Sequence, residues 1–475
     1  MKFIKLFFGS ALLIMILFSS SACQKKSKKH NNQKQEQLAI DYDLTLKPGL
    51  ILPDVRSRAD STISFALYLP QGYSIRNNWP VIFIFDAQAR GKLPLELYKD
   101  LAQKYGYILI GSNNSKNRVD WSVNKEEIRK LIDDAFGRFA IDKQRVYTMG
   151  FSGGARVACL VAVDLAKIQG VIGCAAGFPQ LEKPIENPFN YIGFSGDADF
   201  NRVEMIRLDE SLVSSGMPYF MRFYQGKHDW PPAAIMNEGF LWLEFNAYKS
   251  NLLVKNESYI SGFKKQIDDE CSKAKKTDHT WELYSSLKKG FVFLNGLTDV
   301  SGYNNETSAL EQSDKLKKIK NQQKDIVSRE ISKQEEYRND LSSKNMDWWK
   351  KEVATLNKIS ANTKNPEESA LAKRLLNYIS LISNMSISSN LGGKQPESIV
   401  FLLTIYGMVD PKNPDFHYLS GYFYASQGNT EKSLSFLRNA VKYGYKDKKT
   451  LLSNSTFDIL RKNQAFDEII NSIKD

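Results

Sequence analysis

The stretch Tyr147-Thr-Met-Gly-Phe-Ser-Gly-Gly-Ala-Arg156 places Ser152 two residues after one glycine and two residues before another. A strand-like apolar segment precedes the serine, and a helix-like segment follows it. A strand, a sharp turn and a helix in this order expose a serine at the edge of a parallel sheet. Gly150 and Gly154 leave room where a Cβ would collide, and the N–H of Gly153 can face a developing oxyanion. We therefore predict that Ser152 is a nucleophile rather than part of an ordinary glycine-rich turn.

Apolar segments of strand length alternate with helix-like segments between residues 46 and 250. Several of the strand segments are almost continuously apolar, as is typical of strands covered on both faces. The alternation predicts a mostly parallel sheet with helices on both faces. The predicted strands are 64–69, 81–85, 107–110, 145–149, 171–174, 191–194 and 219–223, and the predicted helices are 124–136, with Asn124 as N-cap, 154–166 and 231–248.

The rest of the chain lacks strand signals. With 475 residues, 42% of them hydrophobic, the chain can bury a large core and is long enough for two or three domains. Residues 251–365 are rich in Lys, Glu, Asp and Gln and predict a charged helical region. Residues 366–475 predict a second, amphipathic helical domain. The chain after residue 250 is therefore expected to be all-α.

The first 22 residues read as an export signal. Two lysines precede an apolar run at residues 6–18, which is too short to span a bilayer as a stable anchor. Small residues directly before Cys23 resemble a bacterial lipoprotein signal. The resemblance implies a lipidated Cys23 and a cell-envelope protein on the outer-membrane or periplasmic side. Simple secretion, with Cys23 removed, is the alternative. Residues 23–45 are expected to be a flexible basic tether.

The net charge of +12 does not predict nucleic-acid binding. Four lysines cluster at residues 25–29, where a basic tether would lie beside an anionic membrane surface. The three further cysteines, Cys159, Cys174 and Cys271, lack the spacing of metal ligands, and no metal or cofactor is expected. Cys159 and Cys174 lie in apolar runs and are predicted to be core residues rather than a redox pair.

A serine hydroxyl needs a general base, and that base needs an orienting acid. Of the four histidines in the chain, only His228 follows a predicted strand of the sheet. The acid has two candidates, Asp197 and Asp199, in the loop after the strand at 191–194. The remaining histidines lie in the tether or in the helical regions: His30, His279 and His417.

Residues 46–250 resemble the α/β-hydrolase superfamily, and within it the secreted esterases related to polyhydroxybutyrate depolymerases and feruloyl esterases. Two segments carry the resemblance: Ile141-Asp-Lys-Gln-Arg-Val-Tyr147 leading into Gly150-Phe-Ser-Gly-Gly154, and His228-Asp-Trp-Pro231. The resemblance implies an acyl-enzyme on Ser152. It also favours Asp199 as the acid, since a Gly-x-x-Asp segment often carries it, with Asp197 as the alternative.

Such esterases usually carry His-Gly after the third strand, where a backbone N–H completes the oxyanion hole. This chain has Phe85-Asp-Ala-Gln-Ala-Arg-Gly91 instead. We expect the N–H of Ala87 or Gln88 to serve, because a main-chain donor does not depend on the side chain. Asp86 would oppose a developing negative charge unless it is paired, and Arg90 is the expected partner.

Three residues near the predicted active end are candidates for a substrate pocket. Asn113 and Asn114 follow the strand at 107–110, and Trp230 follows the histidine. Amides and an indole would suit a sugar-bearing or aromatic acyl group. Loop capping by the asparagines and core packing by the tryptophan are the alternative.

Residues 414–447 resemble one tetratricopeptide unit. Small residues at Gly421, Ser433 and Ala440 would let two helices pack closely. One unit cannot bury its apolar face alone, so it must stack on neighbouring elements. The helices would either bind a protein partner or form a structural cap or pocket wall.

The sequence is compatible with three alternative functions. The first is a cell-envelope serine esterase acting on a small-molecule or glycan-linked ester. The second is an inactive hydrolase-fold lipoprotein that acts as a scaffold through its C-terminal helices. The third is a serine peptidase, since the same three residues can cleave amides.

Overall fold

The computed structural model describes residues 42–117, 119–179, 185, 188–391 and 395–473. These residues belong to one compact unit, which extends from Ile40 to Asp475. The predicted signal segment, Cys23 and His30 lie outside the described residues. None of the described helices is long and apolar enough to cross a membrane.

An eight-stranded sheet forms the centre of the described N-terminal half, with the strand order β1-β2-β4-β3-β5-β6-β7-β8. β1 pairs antiparallel with β2, β2 pairs antiparallel with β4, and all later pairs are parallel. All seven predicted strands are present, and β1 is an addition. The strands are β1 Ile51–Arg56, β2 Ser64–Tyr68, β3 Trp79–Asp86, β4 Ile108–Ser112, β5 Ile141–Phe151, β6 Gly170–Cys174, β7 Asn190–Gly196 and β8 Tyr219–Tyr224.

Four helices lie between these strands and a fifth follows β8: α1 Lys92–Tyr105, α2 Trp121–Arg138, α3 Gly153–Asp164, α4 Arg202–Leu212 and α5 Ala233–Lys249. The three predicted helices correspond to α2, α3 and α5. The predicted N-cap of α2 was wrong, because Asp120 occupies that position. Asn124 lies inside the helix, where its buried side chain donates to the carbonyl of Val119 at 3.1 Å.

The helices cover both faces of the sheet. On β3, Ile82 and Ile84 point into a core that also contains residues of α1 and α5. The alternate positions, including Phe83 and Phe85, point into a second core with residues of α2 and α3. Since side chains alternate along a strand, a strand that is apolar throughout can serve both cores. The predicted fold class is confirmed: a mostly parallel sheet with helices on both faces.

The described chain beyond the sheet is helical, as predicted. Its α-helices are α6 Glu257–Lys276, α7 Thr280–Leu294, α8 Ser301–Gln312, α9 Asp314–Ser343, α10 Met346–Ser360, α11 Pro366–Asn390, α12 Pro396–Val409, α13 Pro414–Ser426, α14 Thr430–Lys442, α15 Lys448–Ser453 and α16 Gln464–Ser472. A 3-10 helix at Ser455–Leu460 precedes α16.

The hydrophobic core does not end at residue 250. Phe263 of α6 and Phe293 of α7 are buried in the same core as α5. The Phe263 ring lies 5.6 Å from that of Phe245, and the Phe293 ring lies 5.1 Å from that of Trp242. Burying each phenylalanine contributes about 2 kcal/mol. The first helices of the predicted charged region therefore complete one face of the sheet.

Helices α13 and α14 form a closely packed pair. Ser433 Oγ donates to the carbonyl of Gly421 at 2.7 Å, and a Cβ added at Gly421 would lie 2.7 Å from Leu437. Gly428, with a φ of +73°, forms the turn between the helices. The close packing expected from small residues is present, while the tetratricopeptide assignment stays a resemblance.

Candidate active site

Ser152 lies between β5 and α3, in the predicted strand-to-helix turn. Its φ of 55° and ψ of −121° are unusual for a residue with a side chain, and such strain is concentrated at functional sites. A Cβ added at Gly150 would lie 2.0 Å from the carbonyl oxygen of Gly154. One added at Gly154 would lie 2.1 Å from the carbonyl oxygen of Phe85. The glycines are therefore required by close backbone approach.

Ser152, His228 and Asp199 form one hydrogen-bonded chain. The Oγ of Ser152 lies 3.0 Å from Nε2 of His228, and Nδ1 of His228 lies 2.8 Å from Oδ1 of Asp199. The side chain of Asp199 is fully buried. Because a carboxylate accepts from Nδ1–H, Nε2 is left to accept the serine proton. This arrangement can convert a serine hydroxyl into a nucleophile.

Aromatic rings fix the plane of the His228 imidazole. The ring of Phe200 stacks on it at a centroid distance of 4.0 Å, and Phe151, next to the nucleophile, lies 4.9 Å away. These ring contacts restrict rotation of the His228 side chain, so Nδ1 stays beside Asp199 and Nε2 stays beside Ser152. Apart from its position directly after Asp199, nothing in the sequence pointed to this contact of Phe200 with the imidazole.

The two candidate acids have different partners. Asp199 Oδ1 accepts from His228 and from the N–H of Asn201 at 2.8 Å. Asp197 Oδ1 accepts instead from the N–H of Gly226 at 2.9 Å. Asp197 thus joins the acid loop (residues 197–201) to the histidine loop (residues 225–232), a role that sequence reasoning missed because the two loops are distant in the chain.

Asp86 is buried, and its carboxylate is fully engaged. It accepts from Arg90 Nε at 2.8 Å and Nη2 at 2.9 Å, as expected from the sequence. It also accepts from the indole N–H of Trp230 at 2.9 Å and from the backbone N–H of Gln88 at 2.8 Å. The paired carboxylate opposes a nearby anion less than a free one would.

These contacts correct the expectation for Gln88, whose N–H is already donated to Asp86. Of the two expected donors, this leaves Ala87 as the candidate to act beside Gly153. The carbonyl of Ala87 accepts from the N–H of Asn117 at 2.9 Å, which ties this loop to the one after β4. Gly153 is the first residue of α3, so its N–H belongs to the turn in which helical N–H groups have no intrahelical acceptor.

The three residues expected in a substrate pocket have structural contacts. Asn113 donates to the carbonyl of Pro53 at 3.0 Å and to Ser64 Oγ at 3.2 Å. Asn114 accepts from the N–H of Ser64 at 2.9 Å. Trp230 is buried and donates to Asp86. The amides therefore brace the strands, and the indole packs in the core.

Asn117 lies beside the candidate site, a position that the sequence did not reveal. It is exposed, and a Cβ added at Gly153 would lie 1.7 Å from Asn117 Oδ1. Its amide therefore lies directly against the residue next to the nucleophile. The asparagines singled out from the sequence stand three and four positions earlier in the same loop.

Neither cysteine near the sheet is part of the hydrogen-bonded chain. Cys159 and Cys174 are buried free thiols, and burial raises the pKa of both. A buried thiol with a raised pKa is a poor nucleophile. Among the described residues, no group of three or more His, Cys, Asp or Glu side chains is arranged to hold a metal ion.

No protein-family model and no curated protein matches the sequence. Solved structures match part of it. S-formylglutathione hydrolase of Staphylococcus aureus is 16% identical, with a TM-score of 0.33, over 41% of this chain and 95% of its own. Esterase B of Lactobacillus rhamnosis is 16% identical, with a TM-score of 0.36, over 43% of this chain and 90% of its own. Dipeptidyl peptidase 4 of Porphyromonas gingivalis is 16% identical, with a TM-score of 0.32, over 41% of this chain and 35% of its own. Identities of this size carry no information on activity.

Proposed function

We propose that this protein is a serine hydrolase that cleaves carboxylic esters through an acyl-enzyme on Ser152. One observation carries the proposal: the unbroken chain from Ser152 Oγ to His228 at 3.0 Å and from His228 to Asp199 at 2.8 Å. Ser152 follows β5 and Asp199 follows β7, and both side chains bind the same imidazole. Three residues from separate loops in this order favour a catalytic arrangement over an accidental contact.

In the proposed mechanism, Ser152 Oγ attacks the ester carbonyl carbon while His228 Nε2 accepts the hydroxyl proton. The N–H groups of Gly153 and Ala87 stabilise the oxyanion. The tetrahedral intermediate collapses, and the leaving alcohol takes its proton from His228. Water then attacks the acyl-enzyme, again with His228 as base, which releases the acid and restores the serine.

Asp199 acts through the histidine. Its buried carboxylate keeps the Nδ1–H tautomer and stabilises the imidazolium that forms in each half-reaction. In the absence of this bond the imidazole can adopt the other tautomer, in which Nε2 carries a proton and cannot accept one from Ser152. The acid is therefore needed for rate rather than for substrate binding.

Active-site labelling tests the proposal. The protein is incubated with a fluorophosphonate probe and with p-nitrophenyl acetate, beside Ser152→Ala and His228→Ala. We expect labelling and turnover in the wild type, and a loss on the order of a thousandfold or more in either variant, because the three residues act as a unit. Turnover that survives Ser152→Ala would disprove the assignment.

The same assay separates the other functions. A folded wild type that neither reacts with the probe nor hydrolyses the ester would favour a scaffold role for the C-terminal helices. Cleavage of peptide amides in preference to esters would favour a peptidase. Comparing Asp199→Asn with Asp197→Asn tests the acid: we expect the severe loss only in Asp199→Asn.

We also propose that the protein is a lipoprotein of the cell envelope, which is supported by the small residues before Cys23 and the lysines that follow it. A small-molecule or glycan-linked ester, as in the esterases that the sequence resembles, is the proposed substrate. Metabolic labelling with a clickable palmitate in a bacterial host should modify the wild type and not Cys23→Ser. Equal labelling of both would contradict lipidation at Cys23.

A further inference from the structure

The acid loop contacts the C-terminal helical region through two consecutive backbone carbonyls. Arg374 Nη1 donates to the carbonyl oxygen of Asp197 at 2.8 Å. Asn377 Nδ2 donates to the carbonyl oxygen of Ala198 at 3.0 Å. Both donors are on α11, three residues apart, so they lie on one face of the helix. The next residue in the loop is the acid, Asp199.

Arg374 is itself held in place by a buried partner. Its Nε donates to both carboxylate oxygens of Glu330 of α9, at 2.9 and 2.8 Å, and its Nη2 lies 2.7 Å from Oε2 of Glu330 in a salt bridge. The two side chains are 3% and 0% exposed. A planar guanidinium in a two-pronged contact has little freedom, so its remaining Nη1 is a fixed donor. The loop is thus bonded to a rigid group.

The same loop segment is held from its other side by the histidine loop and β8. The N–H of Asp197 donates to the carbonyl of Tyr224 at 2.8 Å, and the N–H of Ala198 donates to that of Gly226 at 2.9 Å. The N–H groups of two residues therefore bind the sheet side while their carbonyls bind α11. Movement of the helix away from the loop would leave only one of these two attachments.

The carboxylate of Asp199 depends on this backbone for its orientation. Its Oδ1 has two donors, Asn201 and His228. Its Oδ2 is buried and has no hydrogen-bond partner among the described residues. A carboxylate with hydrogen bonds to only one of its oxygens can rotate. The position of the Asp199 carboxylate therefore depends on the position of the loop backbone that carries it.

We propose that helix α11 holds the acid in register with His228, and that Arg374 and Asn377 are positioning residues for hydrolysis. This rests on the function proposed above. The two residues act through Asp199 and its hydrogen bond to the imidazole. The C-terminal helical region is therefore part of the machinery that sets the rate.

The test begins with Asn377→Ala in the full chain, because this change leaves no charge unpaired. We expect kcat/KM for p-nitrophenyl acetate to fall roughly tenfold, through kcat, with KM little changed. The matched control is Asn384→Ala, on the same helix seven residues further along, where the amide donates to the Tyr406 hydroxyl of α12 at 3.3 Å. The control should keep wild-type kcat/KM.

A double-mutant cycle separates positioning from a merely structural role. In an Asp199→Asn background, we expect Asn377→Ala to cause no further loss, because the two residues act through the same hydrogen bond. A residue that only stabilises the fold would lower activity by the same factor in both backgrounds. Equal factors would overturn the proposal.

A second variant covers the case in which Asn377→Ala does not fold. Glu330→Met combined with Arg374→Met removes the bond to Asp197 together with both charges of the buried pair. It should also lose about tenfold in kcat. A wild type without Ser152-dependent turnover would refute the proposed function itself. An active wild type, with both variants as active as Asn384→Ala, would refute the role of α11.

Discussion

Ser152 occupies a backbone conformation that glycine adopts more readily than any other residue, with a φ of 55°. Such a conformation costs roughly 1 to 3 kcal/mol for a residue with a Cβ. We therefore expect Ser152→Gly to be inactive but more stable than Ser152→Ala by about 1 kcal/mol, after the extra chain entropy of glycine is deducted. Urea unfolding of the two variants measures the difference.

Ser152→Ala is the matched control because it also lacks the hydroxyl but keeps the Cβ. Both variants should lose turnover to the same degree. If Ser152→Gly is less stable than Ser152→Ala, the turn does not store strain in the folded protein.

Asp86 makes the second prediction at this scale. Asp86→Ala would leave the buried indole N–H of Trp230 without an acceptor and would release Arg90 and Gln88. We expect a loss of about 2 to 4 kcal/mol in the free energy of unfolding. Turnover should also fall, because the same loop presents the N–H of Ala87. Urea unfolding and p-nitrophenyl acetate hydrolysis are the two measurements.

Asp54→Ala supplies the control, because Asp54 forms an exposed pair with Arg56 at 2.7 Å. Exposed pairs contribute little, so a change of at most about 0.5 kcal/mol is expected there. Equal losses in Asp86→Ala and Asp54→Ala would contradict the importance of the buried contacts.

At the scale of elements, Lys249 at the end of α5 connects the sheet domain to α7. Its ammonium donates to the carbonyl of Val292 at 3.0 Å, and burial lowers its pKa to about 8. The ordinary pKa of lysine, about 10.4, applies to the unfolded chain. Between these values the unfolded chain binds more protons than the folded protein, so stability rises with pH.

The burial cost of this charge is therefore present in full below pH 8 and is relieved as the pH approaches 10.4. Lys249→Met removes it at every pH. We expect the stability of Lys249→Met, relative to wild type, to be greater at pH 7 than at pH 10 by about 2 kcal/mol. Urea unfolding at both values tests this, and an advantage that grows with pH would contradict it.

At the scale of the molecule, a fragment that ends at residue 250 lacks the helices that cover one face of the sheet. Phe263 and Phe293 would be missing, and Trp242 and Phe245 would face water. We expect residues 46–250 to aggregate, whereas residues 46–312, which keep α6 to α8, should be soluble and folded. Size-exclusion chromatography and near-UV circular dichroism distinguish them. A monomeric, folded 46–250 fragment would show that the shared core is dispensable.

Much of the fold could be predicted because its signals are local. Continuous apolar runs marked the central strands, and glycine spacing around Ser152 marked the turn between β5 and α3. The first strand was missed because Pro53 and Asp54 interrupt its apolar pattern, and the pairing with β2 shifts register there. The N-cap of α2 was misplaced for a similar reason, since Asn124 is a polar residue inside the helix rather than at its start.

The sequence by itself determined seven of the eight strands, three of the five helices around the sheet, the glycine turn and a short list of polar residues, because each depends on neighbours in the chain. Only the tertiary structure decided which of those residues meet. Asp199 lies 29 residues from His228, and Arg374 lies 177 residues from Asp197. The pairing of Asp86 with Trp230, across 144 residues, and the use of Asn113 as a strand brace are of the same kind. Such contacts depend on how whole elements pack, and periodicity along one segment carries no information about them.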